Sequence, residues 1–154
     1  MDIFFKKHLN LIISILALFC FISMYMPIIA PRYPAAEYYA PSASYNAEYV
    51  FTGEYYCAQE YWSMTRFVFA NNSVLFRVVL SLDQALLMLW AMMSVRGHAG
   101  RDGLVIALIN LVVVGFVLFK MFRVMASCQW GVTIVLVLVA LAAVVMAANV
   151  EKRQ

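Results

Sequence analysis

Four apolar runs, each about as long as a membrane-crossing helix, constrain this chain more than any other feature of its sequence. They cover residues 9–30, 67–95, 104–124 and 132–150. A bilayer core about 30 Å thick is crossed by roughly 20 apolar residues in a helix. Strands of a membrane barrel would be about ten residues long, with alternating character. The runs are longer and do not alternate, so they predict an all-α integral membrane protein with four transmembrane helices.

The composition excludes several other classes. Of the 154 residues, 66% are hydrophobic and 12% are charged, whereas about 25% of the residues in a soluble domain are charged. The 11 basic and 8 acidic side chains are too few to cover the surface of a water-soluble globule. The net charge of +3 is too small to indicate a nucleic acid partner. The expected surroundings are therefore the lipid bilayer.

The connections between the runs predict how the helices are arranged. An inner loop over residues 96–103 contains three glycines, and the outer turn over residues 125–131 is equally short. Short connections join antiparallel neighbours. The sequence therefore predicts one domain over residues 1–154, a four-helix antiparallel transmembrane bundle. Its single long connection is an outer loop over residues 31–66.

Lysine and arginine outside the apolar runs predict the orientation in the membrane. Cytoplasmic flanks carry an excess of these residues. One side holds Lys6, Lys7, Arg96, Arg101, Lys152 and Arg153, whereas the flanks of the other side hold Arg32 and Arg66. Both termini are thus expected in the cytoplasm. The compact loops and the lack of a sorting motif favour a bacterial inner membrane.

The outer loop is rich in aromatic and acidic residues. It holds eight of the nine tyrosines, and the dipeptide Glu-Tyr occurs in it four times. Tyrosine is common at membrane interfaces, so one interpretation is an interfacial belt. Tyrosine also gives a large contact area at low entropic cost, so the other interpretation is a protein recognition surface. The predicted centre of that surface comprises Glu54, Tyr55, Tyr56, Glu60, Tyr61 and Trp62.

The polar side chains inside the apolar runs include Arg77, Asp83, Gln84 and Lys120. A charge at bilayer depth costs about 2.5–3.5 kcal/mol and marks a functional hypothesis. At about 1.5 Å per residue, Asp83 is deep, whereas Arg77 and Lys120 can reach the outer interface. We expect Asp83 to face the interior with a polar partner, Lys120 being favoured. The pair would either fix helix register or form part of a proton or cation relay.

The cysteines do not indicate a redox enzyme. Cys57 and Cys128 both fall on the outer side, where an oxidising compartment allows either a disulfide or two free thiols. Enzymes that make disulfides need a closely spaced cysteine pair, and here no two cysteines are closer than 37 positions. No catalytic set, metal-ligand set or cofactor motif is visible in the sequence. A non-enzymatic protein without cofactor or metal is expected.

These observations favour a small membrane protein that acts by binding another protein. It would be an accessory or regulatory subunit, or an immunity or exclusion factor. Its partner would be a membrane or extracytoplasmic protein, or a second copy. A stripe of Ala140, Ala143 and Ala147 allows close helix packing, either within the chain or between chains. The alternative is a small oligomeric transporter or channel component that uses Asp83.

Overall fold

The structure, a computed structural model, describes residues 2–31, 61–70, 73–97 and 101–151. These residues form five helices and three short strands. In chain order they are α1 (Asp2–Ser23), β1 (Pro27–Pro31), β2 (Trp62–Ser63), α2 (Met64–Ala70), α3 (Val74–Val95), α4 (Arg101–Val124), β3 (Met125–Cys128) and α5 (Trp130–Glu151). The dominance of helix agrees with the sequence prediction. Strands β1 and β3 differ from the sequence prediction, which gave a helix and a turn at these places.

Three of the described helices are long and apolar enough to cross a membrane: Val74–Val95, Asp102–Val124 and Trp130–Val150. The apolar part of α1, His8–Ser23, is shorter. Many large apolar side chains on these helices face outward, among them Phe19, which is 55% exposed, and Val112, which is 70% exposed. An outward apolar surface on apolar helices is what a lipid environment favours. The chain is therefore an integral membrane protein.

The first apolar run is helical over only part of the predicted range 9–30. Helix α1 ends at Ser23, and the run continues as strand β1 from Pro27 to Pro31. Proline disfavours helical geometry in the residue before it, which explains why the helix stops short of Pro27. The final residues turn tightly, with the Met24 amide donating to the Phe21 carbonyl at 3.3 Å.

The second apolar run, predicted as one helix over 67–95, is divided into α2 and α3. Helix α3 begins after Ser73, whose side-chain oxygen accepts a hydrogen bond from the Phe76 amide at 3.4 Å. Serine at this position satisfies an amide that would otherwise lack a partner, so it starts a helix. At the other end, Gly97 has a φ of 86°, a left-handed conformation that glycine adopts after a helix.

A three-stranded sheet lies where the helix ends meet. Strand β1 is central and pairs antiparallel with β2 on one side and β3 on the other. Ile29 is opposite both Trp62 and Cys128. Because β1 follows α1, β2 precedes α2, and β3 joins α4 to α5, the sheet brings these helix ends to the same end of the molecule. Helices α1 and α4 therefore end, and α5 begins, at this end of the molecule.

The long helices also pack side by side. Helix α1 contacts α3 and α5, and α4 contacts the same two helices. Between α1 and α3, the Ser14 hydroxyl donates to the Ala91 carbonyl at 3.0 Å. The alanine stripe of α5 is buried, because Ala140, Ala143 and Ala147 are at most 2% exposed. These alanines therefore pack within the chain, one of the two uses that the sequence left open.

Candidate functional site

Asp83 lies near the middle of α3 and faces the interior. Its side chain is 1% exposed. The same face of the helix carries Leu80 one turn before it and Leu87 one turn after it, and both are buried. Helical geometry explains this placement, because residues three and four apart share a face. The prediction that Asp83 points inward is confirmed.

The polar partner of Asp83 is Asn110 on α4. The Asn110 Nδ2 donates a hydrogen bond to Asp83 Oδ2 at 2.9 Å, and Asn110 is fully buried. The prediction of Lys120 as partner is wrong. Depth along the helices explains the choice of partner. Asp83 lies twelve residues before Val95, the last residue of α3, which is about 18 Å along the helix. Measured from the same end of the molecule, Asn110 lies nine residues after the start of α4, about 14 Å, whereas Lys120 lies nineteen residues after it, about 28 Å. Asn110 is therefore much closer in depth.

Lys120 and Arg77 lie towards the sheet-bearing end instead. The Lys120 ammonium is 5.5 Å from the centroid of the Phe116 ring, a cation–π contact with the residue one turn earlier. Lys120 is exposed, and Arg77, in the first turn of α3, is partly exposed. Both cations can thus extend towards the interface, as the sequence predicts for charges near helix ends.

A row of buried polar groups continues from Asp83 to the opposite end of α3. Trp90 and Ser94 follow at seven and eleven positions and stay within about 40° of Asp83 around the helix. Trp90 is 1% exposed and Ser94 is fully buried. Among the described residues, four atoms of this row have no hydrogen-bond partner: Asp83 Oδ1, Asn110 Oδ1, Trp90 Nε1 and Ser94 Oγ. Buried polar atoms of this kind are uncommon and need a physical explanation.

The indole of Trp90 lies against the backbone of Gly103 on α4. A Cβ atom at residue 103 would collide with Trp90 Nε1 and would be 2.9 Å from Cε2. Gly103 therefore allows α4 to approach the largest buried side chain of α3. The sequence placed Gly103 in the inner loop; it lies inside α4, which begins at Arg101. This contact was not predicted from the sequence. The available signal was spacing, because Trp90 lies seven residues after Asp83, about two helical turns, and therefore shares its face.

Gln84, next to Asp83, belongs to a different set of contacts nearer the sheet. Its Nε2 donates to Thr65 Oγ1 on α2 at 3.1 Å, and Tyr25 donates to its Oε1 at 3.4 Å. The Thr65 hydroxyl donates to the Met24 carbonyl at 3.1 Å. Gln84 thus joins α3 to α2 and to the end of α1. These contacts indicate a structural role for Gln84.

Two of the predicted recognition residues, Tyr61 and Trp62, lie at the sheet-bearing end. Trp62 lies in β2 and is 6% exposed, and the Arg66 guanidinium lies 4.9 Å from the centroid of its ring. Trp62 therefore offers little surface to a partner, while Tyr61 beside it is partly exposed. The other members of that predicted surface, Glu54, Tyr55, Tyr56 and Glu60, lie outside the described residues.

The cysteines in the described ranges are free thiols. Cys20 is buried in α1, as predicted for a small core residue. Cys128 ends β3, and its Sγ is 3.4 Å from Thr133 Oγ1. Cys57, the other member of the predicted disulfide, lies outside the described residues. Over residues 2–31, 61–70, 73–97 and 101–151, no three His, Cys, Asp or Glu side chains lie together as metal ligands would.

The protein was compared with known families, curated proteins and solved structures. No protein family, curated protein or solved structure matches this chain.

Proposed function

We propose that this chain is a four-helix bundle in which α1, α3, α4 and α5 all cross a bacterial inner membrane. Exposed apolar side chains one turn apart along α1, such as Ile15 and Phe19, support the inclusion of this shorter helix. In the proposed orientation both termini are cytoplasmic, in agreement with the lysine and arginine flanks. The sheet then lies at the extracytoplasmic end.

In this proposal the protein is not an enzyme and acts by binding another protein at its sheet-bearing end. The observation that supports it best is the pairing of Ile29 with Trp62. That pairing holds together the two ends of the tyrosine-rich segment, residues 32–60, at one end of the helices. A segment whose ends are held close has already lost part of the entropy that binding would otherwise remove. The acidic and aromatic side chains of this segment are suited to a partner with a basic surface.

The recognition role is tested by replacing Tyr55 and Tyr56 together by alanine. We expect wild-type protein in mild detergent to recover a stoichiometric partner chain, identified by mass spectrometry. The variant should lose that partner while accumulating to normal levels, because aromatic side chains contribute most to binding surfaces. Trp62 is left unchanged because it is buried.

The matched control replaces Tyr38 and Tyr39, the other consecutive tyrosine pair of the same loop. This control should retain the partner. If the Tyr55 and Tyr56 variant also retained it, or if wild-type protein yielded only copies of itself, the recognition proposal would be wrong.

A second candidate function, proton or cation transfer through Asp83, is favoured by the row of buried polar groups. Asp83 Oδ1 and Asn110 Oδ1 are both acceptors without a donor among the described residues. Two such oxygens would accept a proton or a small cation. Trp90 and Ser94 place further polar groups between Asp83 and the end of α3 opposite the sheet. In the proposed orientation this end is cytoplasmic, and a proton or cation path would need polar groups there.

The transfer candidate is tested with purified protein in vesicles that contain a pH-sensitive dye for protons or a sodium-sensitive dye for sodium. Wild-type protein should dissipate an imposed proton or sodium gradient, and Asp83→Asn should abolish this flux because the amide cannot exchange a proton or supply a negative charge. Asp102→Asn, at an exposed acidic residue in the first turn of α4, is the control and should conduct normally. Wild-type vesicles without flux would exclude this function.

A further inference from the structure

A groove of about 350 Å³ runs between α3 and α4 on their outward surface. Apolar side chains form most of its lining, including Val79 of α3 and Val112 of α4. Its volume lies within the range of about 300–1,000 Å³ that is typical of ligand sites. The aromatic rings of Phe76 and Phe116 meet edge to face in its wall, with centroids 5.7 Å apart. The groove is thus an apolar slot with defined walls.

The two ends of the groove differ in polarity. Val112 and Leu80 lie at one end, and Ser73 and Lys120 lie at the other. The lining spans Val112 to Lys120 of α4, a separation of eight positions, which corresponds to about 12 Å along the helix. At the polar end, the Lys120 ammonium is held over the ring of Phe116. The first amides of α3 also lie at this end, and the start of a helix favours negative charge.

We propose that the groove binds an anionic phospholipid. One acyl chain lies along the apolar lining, and the phosphate lies against Lys120 and the start of α3. An apolar slot with a cationic end matches an amphiphile with an apolar chain and an anionic head group. A helix from a second copy would fill the apolar part but leave Lys120 without a counter-charge among the residues that the structure describes. The proposal depends on the insertion of α3 and α4 in the membrane and is independent of both proposed functions.

The test measures lipid retention by the purified protein with native mass spectrometry in detergent. Phosphatidylglycerol should be retained in preference to phosphatidylcholine. Lys120→Gln should weaken phosphatidylglycerol binding about tenfold, the usual effect of losing one charge-assisted hydrogen bond. The control is Arg123→Gln, because that guanidinium lies over Phe119, 4.9 Å from the ring centroid, and Arg123 is not part of the lining. It should bind the lipid as wild type does.

A second variant, Val112→Trp, should block the groove and abolish retention of the lipid. Because Val112 is 70% exposed, the larger side chain should not disturb the core. Equal retention of both lipids by wild-type protein would overturn the proposal. So would full binding by Lys120→Gln, or by Val112→Trp. If inorganic phosphate displaced the lipid head group at similar concentration, or if a second copy occupied the groove as a stable dimer, the assignment to a phospholipid would also be wrong.

Discussion

Replacement of Asn110 by leucine is expected to lower the free energy of unfolding by about 3 kcal/mol. The Asn110 side-chain amide donates a hydrogen bond to Asp83 Oδ2, and both side chains are at most 1% exposed. Loss of the amide leaves a buried carboxyl group without that donor. Leaving a buried polar group unsatisfied costs about 1–3 kcal/mol, and more for a charged group. Unfolding of the purified protein in detergent would measure the loss.

The double variant Asp83→Leu with Asn110→Leu should recover much of this loss. Two apolar side chains of similar shape need no partner, whereas a single remaining carboxyl group does. Asn149→Leu, at an exposed position of α5, controls for the general effect of adding leucine and should be close to neutral. A double variant less stable than Asn110→Leu alone would show that the hydrogen bond does not couple the two helices.

Gly103→Ala is expected to destabilise the protein by about 3 kcal/mol, the upper part of the range for overfilling a packed interior. The added Cβ collides with the indole of Trp90, which is 1% exposed and has little space to move. Either α4 or the indole must shift, and each shift disturbs the packing between α3 and α4. The same unfolding assay in detergent would detect the change.

Gly115→Ala provides the matched control in the same helix, because a Cβ at residue 115 would meet nothing within 4 Å. It should be neutral or stabilising, since alanine favours helix over glycine by about 1 kcal/mol. Adding Trp90→Leu to Gly103→Ala should recover stability relative to Gly103→Ala alone. If Gly103→Ala behaved like Gly115→Ala, the close contact with Trp90 would not restrain α4.

The helices could be predicted because membrane thickness fixes the length of an apolar helix and lipid leaves the backbone few other options. The short connections that follow α3 and α4 predict that these helices and the next ones are antiparallel neighbours. The inward orientation of Asp83 also follows from energetics, because a carboxyl group facing lipid is costly. These parts of the fold depend on local sequence and on the lipid that surrounds the helices.

The errors concern features that depend on tertiary contacts. Strand β1 is as apolar as the helix before it, and only Pro27 distinguishes the two in the sequence. The choice between Asn110 and Lys120 as partner depends on helix bounds, and a shift of a few residues changes a depth by several ångström. Trp62 reads as a surface residue beside tyrosines, whereas pairing with β1 buries it. None of these contacts is local in sequence.

The central position of β1 links the order of synthesis to completion of the fold. Its two neighbours come from distant parts of the chain: β2 begins 31 residues after Pro31, and β3 begins 94 residues after it. Until α4 has been synthesised and β3 has followed it, one edge of β1 has backbone groups without a strand partner. Ile28 and Ile29 would also lack part of the cover that fully buries them in the finished protein. A nascent chain that stops before Met125 is therefore left with an unpaired strand edge, which can pair with another chain.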